Sequence, residues 1–149
     1  DNPNRWTIMT FHHPMYSPAS SRDNKEMRQQ WKPLLDEFKV DLVLSGHDHA
    51  YSRTGLVDSK DIKNIPTGYQ QAYDPKIGTV HVVSVSGPKM YKITKGNYAK
   101  KLGENTQLYQ IIDIKENELR FRAYDATGEL YDEFLIQKQT GKPNLLVEK

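Results

Sequence analysis

Four of the five histidines fall in two short clusters, His12 and His13 in FHHP (11–14) and His47 and His49 in GHDH (46–49). Neutral imidazole is the commonest side-chain metal ligand, and a glycine such as Gly46 permits a sharp turn where backbone and ring must both approach an ion. Either cluster taken alone is as readily a solvated polar turn as a ligand pair. In an extended segment His47 and His49 would point to one side about 6.5 Å apart, so they could share an ion or serve one each. Asp48 would point away, and we read it as a solvated acid rather than an acceptor that orients a ligand histidine. His81, inside TVHVVSV, reads as an ordinary half-buried strand residue and not as a ligand. The chain has no cysteine, which excludes disulfides, thiolate nucleophiles and Cys-containing zinc sites and leaves nitrogen and oxygen as metal donors.

The elements around the clusters bring them together. Residues 5–11 (RWTIMTF) form a short apolar, β-branched run ended by the histidines and Pro14, as a strand entering a loop would. Asp23 is placed to cap a helix on which Met27, Trp31, Leu34, Leu35 and Phe38 share an arc of about 100°, a core-facing stripe, with Pro33 as a potential kink. Residues 40–44 (VDLVL) then read as a buried parallel strand, closed by Ser45 and Gly46. Strand, helix, strand with a right-handed crossover puts both strand C-termini at one sheet edge, where open α/β sheets bind ligands. Three or four imidazoles converging there are hard to explain as chance. Further on, 78–86 (GTVHVVSVS) is a strand, and 108–114, 119–124 and 130–137 form an antiparallel meander joined by short turns. Residues 59–76 and 89–105 are polar and weakly periodic, expected as surface excursions, and 139–149 as a loose tail.

FHHPMYS followed some thirty residues later by VDLVLSGHDHAYSR resembles the last two metal-binding motifs of the calcineurin-like metallophosphoesterases. The Tyr and Arg that follow make it most similar to the purple acid phosphatase branch. The close match covers His12 to Arg53, while YQIIDI and LRFRAYDATGELYDEF resemble the closing segment of many such enzymes. The resemblance implies an α/β fold, the C-terminal half of an αββα sandwich in which a βαβ unit is followed by an antiparallel meander. It also implies two divalent or mixed-valence ions (Fe, Zn or Mn) at the sheet edge, with His12 and His47 on one ion and His49 on the other. His13 would then stand near the substrate as a proton donor. The family's Asp, GD and GNH motifs do not occur here, so residues 1–149 are expected to be the C-terminal part of one domain. Its natural partner would be the N-terminal half that carries the remaining ligands. The family's substrate-contacting histidines are also absent from the loop SPASSRDNKE; Arg22 could replace them on a phosphate, though a solvated arginine is the simpler reading.

The function implied is hydrolysis of a phosphate ester by metal-activated hydroxide in the full-length protein, the isolated chain being inactive. A binding module derived from the same fold is the alternative, and a mononuclear zinc enzyme using His12, His47 and His49 is a third. Composition narrows the partners. Lys plus Arg number 21 against 19 Asp plus Glu, for a formal charge of +2, too even for nonspecific binding of nucleic acid or anionic lipid. No apolar run approaches the ~20 residues of a spanning helix. The branch it resembles favours export, which the residues themselves do not address. The apolar fraction of 36% is lean beside about 45–50% for an ordinary domain, as expected of a portion of a larger folding unit.

Overall fold

A computed structural model describes residues 5–20, 22–57, 78–93 and 98–149. The expected βαβ unit is present as β1 (Ile8–Phe11), α1 (Lys25–Glu37) and β2 (Leu42–Ser45), with β1 and β2 parallel and Phe11 in register with Ser45. β3 (Tyr51–Val57), β4 (Thr79–Val83) and β5 (Ala99–Gly103) complete a mixed sheet ordered β1-β2-β4-β3-β5. β4 runs parallel to β2, whereas β3 is antiparallel to both β4 and β5. β6 (Leu108–Lys115), β7 (Glu118–Asp125), β8 (Leu130–Gln139) and β9 (Lys142–Glu148) form a second, antiparallel sheet in chain order.

Alternation along the strands decides what each sheet faces. Leu42, Val80 and Val82 from the first sheet meet Leu119, Phe121, Ala123, Phe134 and Ile136 from the second in one continuous core. The opposite side of the first sheet offers Val43 and Val57, which pack with Met15, Tyr16, Leu35 and Val40 beneath α1. The layers are therefore helix, sheet, sheet. A buried ion-pair cluster also joins the two sheets. Arg53 donates to both oxygens of Asp132 at 2.7 and 3.2 Å and to Glu148 at 2.7 Å, while the Tyr51 hydroxyl donates to Asp132 at 2.7 Å. Tyr51 and Arg53 share a strand face because they are two residues apart. Burial, then the Asp132 charge, pushes the Tyr51 phenol far above its ordinary value.

Several expectations need correction. Residues 139–149 are not a loose tail: β9 pairs along β8, with Leu146 packed against the core. Its Lys142 and Pro143 suit an edge strand, where an unpaired N–H is not required. The segment 89–105 contains β5; residues 59–76 lie outside the described residues. Asp23 does not cap α1, since the N-cap is Asn24 without a side-chain cap bond, and Asp23 instead pairs with Arg28 at 2.5 Å. Only part of the predicted apolar stripe is buried: Leu35 lies in the core and Met27 packs against it. Arg28, Lys32 and Leu35 face the sheet, while Trp31, Leu34 and Phe38 are exposed. The two cations can be buried because each reaches a backbone oxygen, Arg28 that of Met15 at 2.8 Å and Lys32 that of Val57 at 2.6 Å. Trp31, Leu34, Leu35 and Phe38 line a groove of about 370 Å³ beside edge strand β1, with Thr7, Met9 and Val40.

Candidate metal centre

His12 and His13 follow the last residue of β1, and His47 follows β2 by one glycine. Parallel pairing places these two strand ends side by side, and Gly46 N–H donates to the His12 carbonyl at 3.3 Å. The side chains meet as a result. His12 Nε2 and His47 Nδ1 are 3.0 Å apart, and the rings of His13 and His47 lie 3.8 Å apart between centroids. One nitrogen of each of His12, His13 and His47 falls within 4.8 Å of the others. Two ring nitrogens at 3.0 Å either share one proton or turn both lone pairs toward a common cation. His47 is biased toward the neutral, donor form: loss of hydration lowers its pKa, and the neighbouring His13 and Arg22 lower it further. The donor set therefore fits a borderline metal ion that prefers nitrogen ligands.

The sharp turn in GHDH falls at His47 rather than at Gly46. His47 takes a left-handed φ of 61°, whereas Gly46 is not among the positive-φ residues. A side chain held in αL is uncommon and concentrates at functional sites. The segment is therefore not extended through His47. His49 stands apart from the three-imidazole group: its Nδ1 meets the Lys89 carbonyl at 2.8 Å, and its ring packs on Tyr91 at 4.7 Å. A carbonyl can only accept, so Nδ1 carries the proton and Nε2 keeps a lone pair. That is the orientation usually found in metal-ligating histidines.

Asp48 is not a solvated acid. It is 1% exposed, accepts a short hydrogen bond from the Ser17 hydroxyl, and meets Arg22 at 3.2 Å through its other oxygen. Ser17 also holds the loop from the other side, since its carbonyl accepts from the Tyr98 hydroxyl. Asp48 thereby ties the loop after β1 to the loop after β2, between the two histidines it separates. His81 is more deeply buried than expected, at 3% exposure, and neither ring nitrogen has a hydrogen-bond partner among the described residues. It sits against Tyr16 beneath α1, in β4, and takes no part in the imidazole group. Ser17 and Tyr91 carry no signal in the sequence, and Asp48 only an ambiguous one, because their roles rest on contacts between separate loops.

A family model described as calcineurin-like phosphoesterase matches residues 1–51, which include both histidine clusters. Purple acid phosphatase 17 of Arabidopsis thaliana is 40% identical over 136 residues, covering 91% of this chain and 36% of that protein. An acid phosphatase of Aspergillus ficuum is 39% identical over 70 residues, covering 43% of this chain and 11% of that protein. The chain thus spans about a third or less of the curated relatives it matches. Among solved structures, purple acid phosphatase PPD1 from yellow lupin (Lupinus luteus) seeds superposes with a TM-score of 0.66 at 22% identity, over 89% of this chain and 25% of that one. GAP50, titled the anchor in the inner membrane complex of Plasmodium, gives 0.59 at 18% identity over 96% and 38%. At those identities the two structures speak for the fold. Motifs, relatives and fold agree that the chain belongs to the calcineurin-like metallophosphoesterases, in their purple acid phosphatase-like branch.

Proposed function

We propose that the full-length protein is a metal-dependent phosphoric ester hydrolase and that this chain supplies its histidine side. The observation that carries the reading is the approach of His12 Nε2 and His47 Nδ1 to 3.0 Å at the ends of two adjacent parallel strands. His12 and His47 would hold one ion. His49, its Nδ1 engaged by the Lys89 carbonyl, would offer Nε2 to a second. When bound, such ions lower the pKa of water and neutralise phosphoryl oxygens. The chain's own residues have complementary tasks: His47 presents an unprotonated nitrogen, Asp48 fixes the loop that separates His47 from His49, and His13 faces solvent where it can pass a proton to a departing alkoxide. The fold alone would not decide this, because the Plasmodium neighbour with the same architecture is titled an anchor.

One observation favours a second reading. The tight group is His12, His13 and His47, with His49 outside it, and three imidazoles with a water complete a mononuclear zinc site. Metal stoichiometry separates the two readings. For either, His47→Ala should abolish phosphate-ester hydrolysis, and near-normal turnover by that variant would sink the assignment.

We further assign the apolar groove of Met9, Trp31, Leu34 and Phe38, with the outer edge of β1, to the remaining part of the phosphoesterase domain. A relative about two and a half times as long as this chain supplies the support. Export is the corresponding proposal for location, and fractionation of the full-length protein tests it.

A further inference from the structure

Three residues outside the imidazole group make one arrangement beside it. The Arg22 guanidinium carbon stands 5.3 Å from the centroid of the Tyr91 ring, and Lys89 Nζ stands 5.2 Å from the same centroid. Tyr91 is itself fixed to the site: its ring packs on His49 and its N–H donates to the His49 carbonyl at 2.9 Å. Arg22 is fixed from the other side by Asp48, the residue between His47 and His49. That contact uses one terminal nitrogen, Nη1, of a side chain that is 38% exposed, and guanidinium carries further donors beyond that nitrogen. Lys89 is exposed and has no carboxylate partner among the described residues.

The charge balance is the informative feature. Asp48 offsets one cation, and its second oxygen is committed to Ser17. The pair therefore keeps a net positive charge, with both cations on one aromatic ring and separated by no more than about twice the ring distance. Two cations against one ring with a single carboxylate charge to offset them leave a local excess of positive charge that attracts an anion. A phosphoryl group suits the vacancy in donors, since guanidinium binds it through a fork and ammonium as a point charge.

We propose that Arg22 and Lys89 form a cationic shelf on Tyr91 that binds the phosphoryl oxygens of the substrate, Arg22 as the oriented member and Lys89 as the adaptable one. This rests on the hydrolase reading and names the residues that would set its substrate affinity. The test uses the full-length protein with inorganic phosphate as the binding probe, measured by calorimetry, and p-nitrophenyl phosphate as the kinetic one. Arg22→Gln should raise the phosphate Kd and the KM tenfold or more, with kcat changing by less and metal content unaltered. Arg22→Lys should recover part of that loss, because charge returns without the fork. Lys89→Gln, at an exposed side chain that does not hold the fold together, should raise both constants severalfold and flatten their salt dependence. Unchanged phosphate Kd and KM in both Gln variants would overturn the shelf while leaving the hydrolase intact. A wild-type protein that neither binds phosphate nor turns over would instead remove the reading on which the shelf rests.

Discussion

Protonation of His81 should destabilise the fold, and the size of the effect follows from where the ring sits. His81 lies in the middle of β4, is 3% exposed, and has no hydrogen-bond partner at either nitrogen among the described residues. Burial lowers its pKa well below 6.5, and the charge of Lys32 lowers it further. Lys32 is fully buried on the same side of the sheet, held by the Val57 carbonyl. The unfolded chain therefore binds a proton near pH 6.5 that the folded chain refuses. Stability rises with pH wherever the unfolded state holds more protons, so it is greatest above the unfolded value and falls as the pH drops below it. Each pH unit below the unfolded value costs up to about 1.4 kcal/mol for as long as the folded ring stays neutral. His81→Leu removes the titration at similar volume and breaks no hydrogen bond. Denaturant midpoints of wild type and variant, measured from about pH 7.5 to 5, should diverge by that amount, and the His81 Cε1 proton should not shift over the range. Parallel curves, or a ring that titrates near its ordinary value, would refute the argument from burial.

Three further outcomes follow from the same geometry. Asp48→Asn keeps the shape but removes the charge that holds Arg22 and Ser17, and metal affinity by titration should fall about tenfold or more, as for other groups that orient ligands. Asp132→Ala leaves Arg53 buried without its bidentate partner and should cost about 3–5 kcal/mol in chemical denaturation, against a smaller loss for Asp132→Asn. His49→Ala should lower the number of bound ions from two to one in the dinuclear reading and leave it unchanged in the mononuclear one, read by elemental analysis.

Much of the site was legible because it lies at the ends of elements with clear periodicity. The apolar runs before His12 and before Ser45 identify two strands, and the helix between them dictates parallel pairing; the meeting of His12 and His47 follows without reference to side-chain detail. What escaped the sequence depends on contacts between distant segments. Asp48 reads as a loop acid until Ser17 and Arg22, 31 and 26 residues upstream, close over it. β3 hides because its polar residues are buried and satisfied, Arg53 by Asp132 and Thr54 by the Gly55 carbonyl and the His81 N–H. Its bulge between Arg53 and Leu56 also breaks the period of two. β5 and β9 are edge strands whose lysines and proline imitate loop composition. On α1 the core-facing stripe holds for Leu35 and Met27 but not for Trp31, Leu34 and Phe38, since buried Arg28 and Lys32 share the face toward the sheet.

The central claim is that His12, His13, His47 and His49 constitute the histidine side of a hydrolytic metal centre. Metal content of the full-length protein, determined together with p-nitrophenyl phosphate hydrolysis before and after chelation, tests it most directly. The account predicts two ions per chain, with turnover lost on chelation and restored by added metal. A protein that holds no metal tightly and hydrolyses no phosphate ester would contradict it, and the clustered imidazoles would then belong to a binding scaffold.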